Sequence, residues 1–237
     1  MTIILTNDDG IDAPGIWALN QAINAPDFST QILPEFRQSI IVAPKAHFSG
    51  CGHQITTHRP IGIEHRSDNE YAVDGTPADC TRIAIKSITD DVKWVLSGIN
   101  AGGNLGVDVY TSGTVAAVRE AAMHGIRGIA ISHWIKKPLA IDWNIAARWT
   151  TRVLVDLFSR PLPPGSFWNV NLPHLESDTA EPEMVFCKPS LDPLPVRYRV
   201  DGKLHYYEGE YSKRDRAPGT DVDICFSGKI AITALKL

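Results

Sequence analysis

The stretch TIILTNDDGIDAPGIWALNQAIN, residues 2–24, indicates the fold class of this chain. Its first five residues are a short apolar run rich in β-formers, and NDDG is a turn sequence. Pro14-Gly15 then opens a helical stretch that reaches about Asn24. A strand, a loop and a helix in this order are the first unit of an α/β fold.

The same alternation continues to about residue 160. The pattern predicts further strands at 39–43, 94–96 and 129–132, and helices at 77–88, from 113 onward and at 142–158. Such units imply right-handed crossovers, a mostly parallel sheet and a Rossmann-like three-layer sandwich. Ligands on such sheets bind beyond the carboxyl ends of the strands, where the polar loops of this chain fall.

The texture changes after Pro161, where prolines become frequent. Short strands, several of them aromatic-rich, are predicted at 167–171, 197–200, 204–207 and 230–235. We interpret the chain as a single α/β domain over 1–237, with a core over about 1–160 and a C-terminal β-hairpin appendage over about 161–237. An exposed hairpin tends to pair with another chain, and a second subunit is the simplest partner.

Composition narrows the function classes. The 237 residues are 43% hydrophobic, which supports a substantial core. The net charge of −4 argues against binding of a nucleic acid polymer. Neither a signal peptide nor an apolar run of about 20 residues is evident, so we expect a cytoplasmic protein without a membrane partner. The four cysteines form no CxxC pair, which predicts free thiols, and Cys80 falls on the apolar face of a predicted helix.

The acidic pair Asp8-Asp9 directly follows the first strand. On a regular strand the two side chains would point to opposite faces, and only in the following turn can both carboxylates approach one ion. Gly10 permits that turn. Hard oxygen donors suit Mg²⁺, Mn²⁺ or Ca²⁺. The alternative is an ordinary Asx-type turn with a helix-capping acid.

Two later segments are candidates for binding an anion. The segment SGINAGGNLG, residues 97–106, has glycines that let backbone N–H groups approach a phosphate, although Asn100 and Asn104 there could be structural. Ser112-Gly113-Thr114 begins a predicted helix, whose N-terminus favours phosphate; the alternative is a helix cap. Three histidines near the second loop are candidates for acid/base groups, including the acid that protonates the leaving group, or for ligands; the alternative is a surface role for His47, His53 and His58.

Several segments together resemble the SurE (survival protein E) family. They are ILTNDDGIDAPGI (4–16), VAP…SG (42–50), DGTPADC (74–80), SGINAGGNLG (97–106), TSGTVAAVREA (111–121) and the closing GTDVDICFSGKIAITAL. The resemblance implies a divalent-metal-dependent phosphomonoesterase acting on nucleoside monophosphates, as a 5′-nucleotidase and also on 3′-monophosphates, with polyphosphate as a further substrate in some members.

The resemblance also implies site residues. One divalent ion per subunit, Mg²⁺ or Mn²⁺, would be held by Asp8, Asp9, Ser49 and Asn100. Phosphate contacts would fall on Asn104, Ser112, Gly113 and Thr114. The family forms dimers or tetramers through the C-terminal hairpin. The chain departs from the family at Lys45-Ala46-His47-Phe48, where a strongly polar stretch is usual.

The mechanistic hypothesis gives the proton of the attacking water to Asp8 or Asp9, and the sequence does not choose between them. A phosphatase that forms an aspartyl-phosphate also places Asp after its first strand. It needs a second acid two residues on, where this chain has Gly10. The non-enzymatic alternative is a metal- and nucleotide-binding regulator on the same fold.

Overall fold

The computed structural model describes residues 1–36, 38–176 and 179–237. Its strands are β1 Thr2–Thr6, β2 Gln38–Pro44, β3 Ile63–Ser67, β4 Glu70–Val73, β5 Val92–Ala101, β6 Arg127–His133, β7 Ser166–Leu172, β8 Met184–Phe186, β9 Tyr198–Asp201, β10 Leu204–Tyr207 and β11 Ile230–Lys236. Its α-helices are α1 Pro14–Asn24, α2 Pro26–Gln31, α3 Pro77–Ile83, α4 Gly113–Met123, α5 Trp143–Phe158 and α6 Asp221–Phe226.

Nine strands form one sheet in the order β3-β4-β2-β1-β5-β6-β7-β11-β8. The strands from β4 to β7 in this order run parallel, and β3 and β11 are antiparallel to their neighbours β4 and β7. Every residue of β1 is buried, as expected for a central strand with both faces covered. The predicted α/β sandwich with a mostly parallel sheet is confirmed.

Helices cover both faces of the sheet. On one face, α1, α2 and α5 bury side chains such as Leu19, Phe28 and Trp149 against β1, β5 and β6. On the other face, α3 and α4 bury Cys80 and Val118. Cys80 is fully buried, as its helical position predicts. Within the described ranges, no helix has both the length and the apolar character needed to span a membrane.

Local signals explain where the helices begin. Pro14 occupies the first turn of α1, and Ser112 caps α4 by accepting a hydrogen bond from the Val115 N–H at 3.1 Å. In α3, Thr76 and Asp79 form a capping box. The predicted helix over 77–88 ends as an α-helix at Ile83 and continues as a π-helical turn, Ala84–Ile88.

Two predicted strands differ from their observed counterparts. β5 is longer than the predicted 94–96 because the chain stays paired with β6 through an irregularity between Ser97 and Asn100. The strand predicted at 167–171 within the C-terminal appendage is β7, and it lies instead in the main sheet, where it pairs with β6. β11 pairs with it there, whereas β9 and β10 form the separate antiparallel hairpin.

Candidate active site

The loop after β1 is closed by Asn7 rather than by the acidic pair. The Asn7 side chain donates to the Gly10 carbonyl at 2.7 Å and accepts from the Gly10 N–H at 3.2 Å. Gly10 has φ of +105°, a conformation that L side chains rarely adopt. Asn7 therefore supplies the Asx-type turn, and the carboxylates of Asp8 and Asp9 are free for other contacts.

Asp8 is buried against the first turn of α4. The Thr114 hydroxyl donates to Asp8 Oδ1 at 2.5 Å. A Cβ at Gly113 would lie only 2.8 Å from the Asp8 Cβ, so glycine allows this approach of helix and carboxylate. Burial raises the pKa of Asp8, the Thr114 hydrogen bond lowers it, and the charge of Asp9 raises it further. A cation beside Asp8 would stabilise its charged form.

Asp9, in the loop after β1, lies beside the end of β5. Its Oδ2 accepts the Ala101 N–H at 3.1 Å, and its Oδ1 is 3.3 Å from His47 Nδ1. The Asp9 side chain is 13% exposed, whereas His47 is 60% exposed. The second acidic residue is thus held by the strand that carries Asn100 and is still reachable from solvent.

Asn100 is positioned by the irregular end of β5. Its side-chain nitrogen donates to the Gly102 carbonyl at 2.8 Å, which leaves the amide oxygen as the atom suited to a cation. Upstream, β5 packs very closely: a Cβ at Gly98 would be 2.2 Å from the Ile131 carbonyl oxygen, and one at Gly15 would be 1.9 Å from that of Ile99. Glycines at both positions let α1 and β6 close around this strand.

Ser49 lies on an exposed loop next to the acidic pair. The Phe48 N–H donates to the Asp8 carbonyl at 2.7 Å, and the Gly52 N–H donates to the Thr111 carbonyl at 2.9 Å. The loop is therefore tied to both the β1 loop and the start of α4. Among the described residues, the structure gives Ser49 no hydrogen bond to either carboxylate.

The start of α4 is capped by Ser112, which is one of the two alternatives that the sequence left open. The Ser112 oxygen caps the helix, but its own O–H remains able to donate. The first N–H groups of a helix have no partner within it, so those of Gly113 and Thr114 are available to an anion. The Thr114 hydroxyl, in contrast, is used on Asp8.

Asn104 sits in an asparagine network rather than at an open surface. Its backbone N–H donates to Asn171 Oδ1 at 2.8 Å, and its carbonyl accepts from Asn169 at 2.9 Å and Asn171 at 3.0 Å. Its side chain donates to the Ser132 hydroxyl at 2.8 Å. Asn104 therefore fixes the loop after β5, and a direct contact with phosphate stays a prediction.

The three candidate histidines separate in the structure. His47 contacts Asp9, and His58 is exposed. His53 Nε2 lies 2.7 Å from the carboxylate of Glu120 on α4, and Glu120 also contacts His124. His53 thus anchors the loop of Ser49 to α4. Of these three, His47 is the one at the carboxylates.

The structure brings most of the predicted site residues to one edge of the sheet. Asp8 is in direct contact with Gly113 and Thr114. Asp9 is hydrogen-bonded to Ala101, which follows Asn100. Ser49 follows Phe48, whose N–H is hydrogen-bonded to the Asp8 carbonyl. Over the described ranges, no group of three or more His, Cys, Asp or Glu side chains could hold a metal ion. Two carboxylates with a hydroxyl and an amide oxygen nevertheless fit a hard divalent ion.

Sequence reasoning missed the residues that support Asn104. Asn169 and Asn171 alternate along the wholly buried strand FWNVNL, so both side chains point to the same face. Two polar residues with period 2 in an apolar strand signal a buried network, because buried polar groups need partners.

Known proteins resemble this chain over most or all of its length. The family model described as Survival protein SurE matches residues 3–191. A protein of Nostoc sp. named "Putative 5′-nucleotidase alr3139" is 63% identical over 100% of both chains, and 5′-nucleotidase SurE of Allorhizobium ampelinum is 36% identical over 100% of this chain and 92% of its own. The crystal structure of SurE protein from Aquifex aeolicus superposes with a TM-score of 0.83 at 29% identity, covering 100% of this chain and 93% of that one.

Proposed function

The chain belongs to the SurE family and is a 5′-nucleotidase, and we propose that it hydrolyses nucleoside monophosphates with one divalent ion bound at the carboxyl edge of the sheet. The observation that carries the proposal is the contact between Asp8 and the first turn of α4. A cation held by Asp8 would lie beside an anion held by the N–H groups of Gly113 and Thr114. Metal and phosphate would therefore share one site.

Four oxygen donors would hold the ion: the Asp8 and Asp9 carboxylates, the Ser49 hydroxyl and the Asn100 amide oxygen. Mg²⁺ and Mn²⁺ are the preferred candidates because all four are hard ligands. Such an ion, when bound, lowers the pKa of a coordinated water and offsets negative charge on the transferred phosphoryl group.

The chain's own groups would bind the phosphate and move the protons. The Gly113 and Thr114 N–H groups and the Ser112 hydroxyl would hold phosphate oxygens through the transition state, and Asn104 is a further proposed contact. Asp8 or Asp9 would accept the proton of the attacking water. His47 is our candidate for donating a proton to the leaving oxygen, since its Nδ1 faces Asp9 and its Nε2 is the other ring atom able to donate.

The test is phosphate release from AMP by purified protein with Mg²⁺, with Mn²⁺ and with EDTA. We expect turnover with at least one metal and loss of turnover in EDTA that added metal restores. Asp9→Asn should lower kcat/KM by about 100-fold or more, because one carboxylate ligand is lost. Asp12→Asn is the matched control, since Asp12 is a mostly exposed neighbour paired with Arg66. Equal activity in EDTA would refute the metal dependence.

Further substrates and rival mechanisms are resolved by the same assay. We propose that 3′-AMP and polyphosphate are also hydrolysed, and each is tested as a substrate in parallel with AMP. A trapped phospho-aspartate would establish the covalent mechanism instead. Binding of AMP without phosphate release under any metal would favour the non-catalytic regulator, which the names of the relatives do not support.

We also propose that the chain is a homodimer or homotetramer assembled through the hairpin of β9 and β10. Its apolar side chains are unusually exposed for a monomer surface: Tyr198 53%, Val200 58%, Leu204 60% and Tyr207 55%. Light scattering on Leu204→Glu should show a smaller species than the unmodified chain, and an unchanged mass would refute this assembly. A cytoplasmic location remains our proposal, testable by fractionation.

A further inference from the structure

We propose that Tyr211 and Arg214, acting through Asp108, are positioning residues that hold the glycine-rich loop, residues 102–106, in the shape that the proposed phosphate contact of Asn104 requires. The inference rests on the proposed function and extends it to residues remote from the reacting atoms. Tyr211 and Arg214 lie between β10 and α6, more than 100 positions along the chain from the loop, whereas Asp108 directly follows the loop. Their task is to fix where the backbone around Asn104 sits.

Asp108 is the centre of this clamp. Its Oδ2 accepts the Tyr211 hydroxyl at 2.5 Å and Arg214 Nη1 at 2.7 Å, and it also accepts the backbone N–H of Leu105 at 3.1 Å. The Arg214 side chain is fully buried and that of Asp108 is 8% exposed. Charged and phenolic groups from a distant segment therefore converge on one carboxylate oxygen that also holds the loop.

The clamp also reaches the loop backbone directly. Arg214 Nη2 donates to the Leu105 carbonyl at 3.3 Å, and the Tyr211 hydroxyl is 3.5 Å from the Gly103 carbonyl oxygen. Gly103 and Leu105 are the two neighbours of Asn104. With the Asn104 peptide groups held by β7 on one side and its neighbours held by the clamp on the other, the loop is fixed from both directions.

A second tie comes from α6. Asp221, at the start of that helix and fully buried, accepts the Gly106 N–H at 2.7 Å with one oxygen and the Ser190 N–H at 2.8 Å with the other. A Cβ at Gly106 would lie 2.7 Å from the Ser190 carbonyl oxygen, so the loop and this C-terminal segment are in close contact. The loop thus takes its shape from C-terminal residues as well as from β5.

Stability alone is a poor explanation for a buried ion pair at this place. Removing two charges from water costs about as much as their attraction returns, and apolar residues of similar volume often stabilise a fold equally well. The ion pair and the phenol instead fix the position of the Asp108 carboxylate, because the guanidinium of Arg214 and the hydroxyl of Tyr211 form hydrogen bonds in only a few directions. These contacts therefore fix the loop 102–106, which continues through the 3₁₀ turn Gly106–Tyr110 to Ser112 and α4.

The test compares Tyr211→Phe and Arg214→Lys with the unmodified chain. Each variant keeps the size or the charge of the residue it replaces and removes part of the hold on the loop. The readouts are kcat and KM for AMP, the inhibition constant of inorganic phosphate, and Tm. We expect KM and the phosphate inhibition constant to rise together by roughly threefold to tenfold, with a smaller change in kcat.

Two control variants separate positioning from general destabilisation. Phe28→Leu alters the core beneath α2, far from the loop, and Tyr71→Phe removes a phenol from β4, which lies three positions from β5 in the order of the sheet. Neither should change phosphate inhibition at a temperature well below Tm. Unchanged phosphate inhibition in Tyr211→Phe, or an equal change in Phe28→Leu, would overturn the proposal. Absence of AMP hydrolysis by the unmodified chain would instead contradict the proposed function, and phosphate binding by calorimetry would still test the clamp.

Discussion

Gly113→Ala should remove most of the nucleotidase activity while leaving the fold intact. Gly113 is the first residue of α4 and does not have a positive φ, so alanine is compatible with its backbone. By helix propensity alone, alanine is about 1 kcal/mol more favourable than glycine inside a helix, and the preference at a first position is smaller. The obstacle is space: the new methyl group would meet Asp8.

The size of the effect follows from the contacts at this position. The added Cβ would lie 2.8 Å from the Asp8 Cβ, 3.1 Å from Asp8 Oδ2 and 3.0 Å from Cys51 Sγ. The Asp8 Cβ is fixed to the backbone next to β1, so α4 and the β1 loop must separate by about 0.7 Å or more, since carbon contacts are favourable near 3.5–4.0 Å. A shift near 1 Å at a catalytic centre costs about 100-fold, so we expect kcat/KM to fall by about 10- to 100-fold.

The assay is steady-state hydrolysis of AMP at several Mn²⁺ concentrations, with thermal unfolding in parallel. A displaced Asp8 should also raise the Mn²⁺ concentration that gives half-maximal activity. Gly62→Ala is the matched control, because a Cβ there meets only the Asp74 Cβ at 3.8 Å, an ordinary contact. Adding Cys51→Ala to Gly113→Ala relieves one contact but not the contact with Asp8, so activity should stay low. Near-normal kcat/KM in Gly113→Ala would refute this account.

Two further outcomes follow from the same contacts. Thr114→Val should lower kcat/KM by about tenfold through loss of the hydrogen bond to Asp8, whereas Thr114→Ser should retain most activity; equal loss in both would contradict this role. Burial lowers the pKa of His133 from 6.5 to about 4, so the unfolded chain binds a proton at this residue at a higher pH than the folded chain does. Stability should therefore fall as pH drops from 6.5 toward 4, by at most about 1.4 kcal/mol per pH unit from this group, and urea unfolding of His133→Gln should show a shallower dependence.

The layered fold could be predicted because its signals are local. β1 and α1 have the predicted bounds, since an apolar run, a turn and a proline at the first helical turn mark each boundary. β7 and β11 could not be assigned to the main sheet in the same way. Their apolar character fits a buried strand anywhere, and the pairing that places β7 beside β6 and β11 beside β7 joins residues far apart in the sequence.

The acidic pair shows how far local chemistry reaches. The sequence predicted that both carboxylates lie in the turn after β1, and the structure gives each a different partner. Asp8 faces α4, and Asp9 faces the end of β5. The sequence did not show which partner each aspartate has. Any of Asn7, Asp8 and Asp9 could form the side-chain hydrogen bonds of the turn, and in the structure Asn7 forms them with Gly10.

The Thr114 hydroxyl illustrates why side-chain roles at this site depend on tertiary contacts. As part of a helix N-terminus, its residue type suits phosphate, and the sequence assigned it there. In the structure its single proton is donated to Asp8, and the neighbouring Gly113 has no side chain to keep the helix away. The backbone N–H of Thr114 can still bind an anion, while its hydroxyl orients a carboxylate. One residue thus links the two halves of the site, so a change at Thr114 should alter phosphate affinity and metal dependence together.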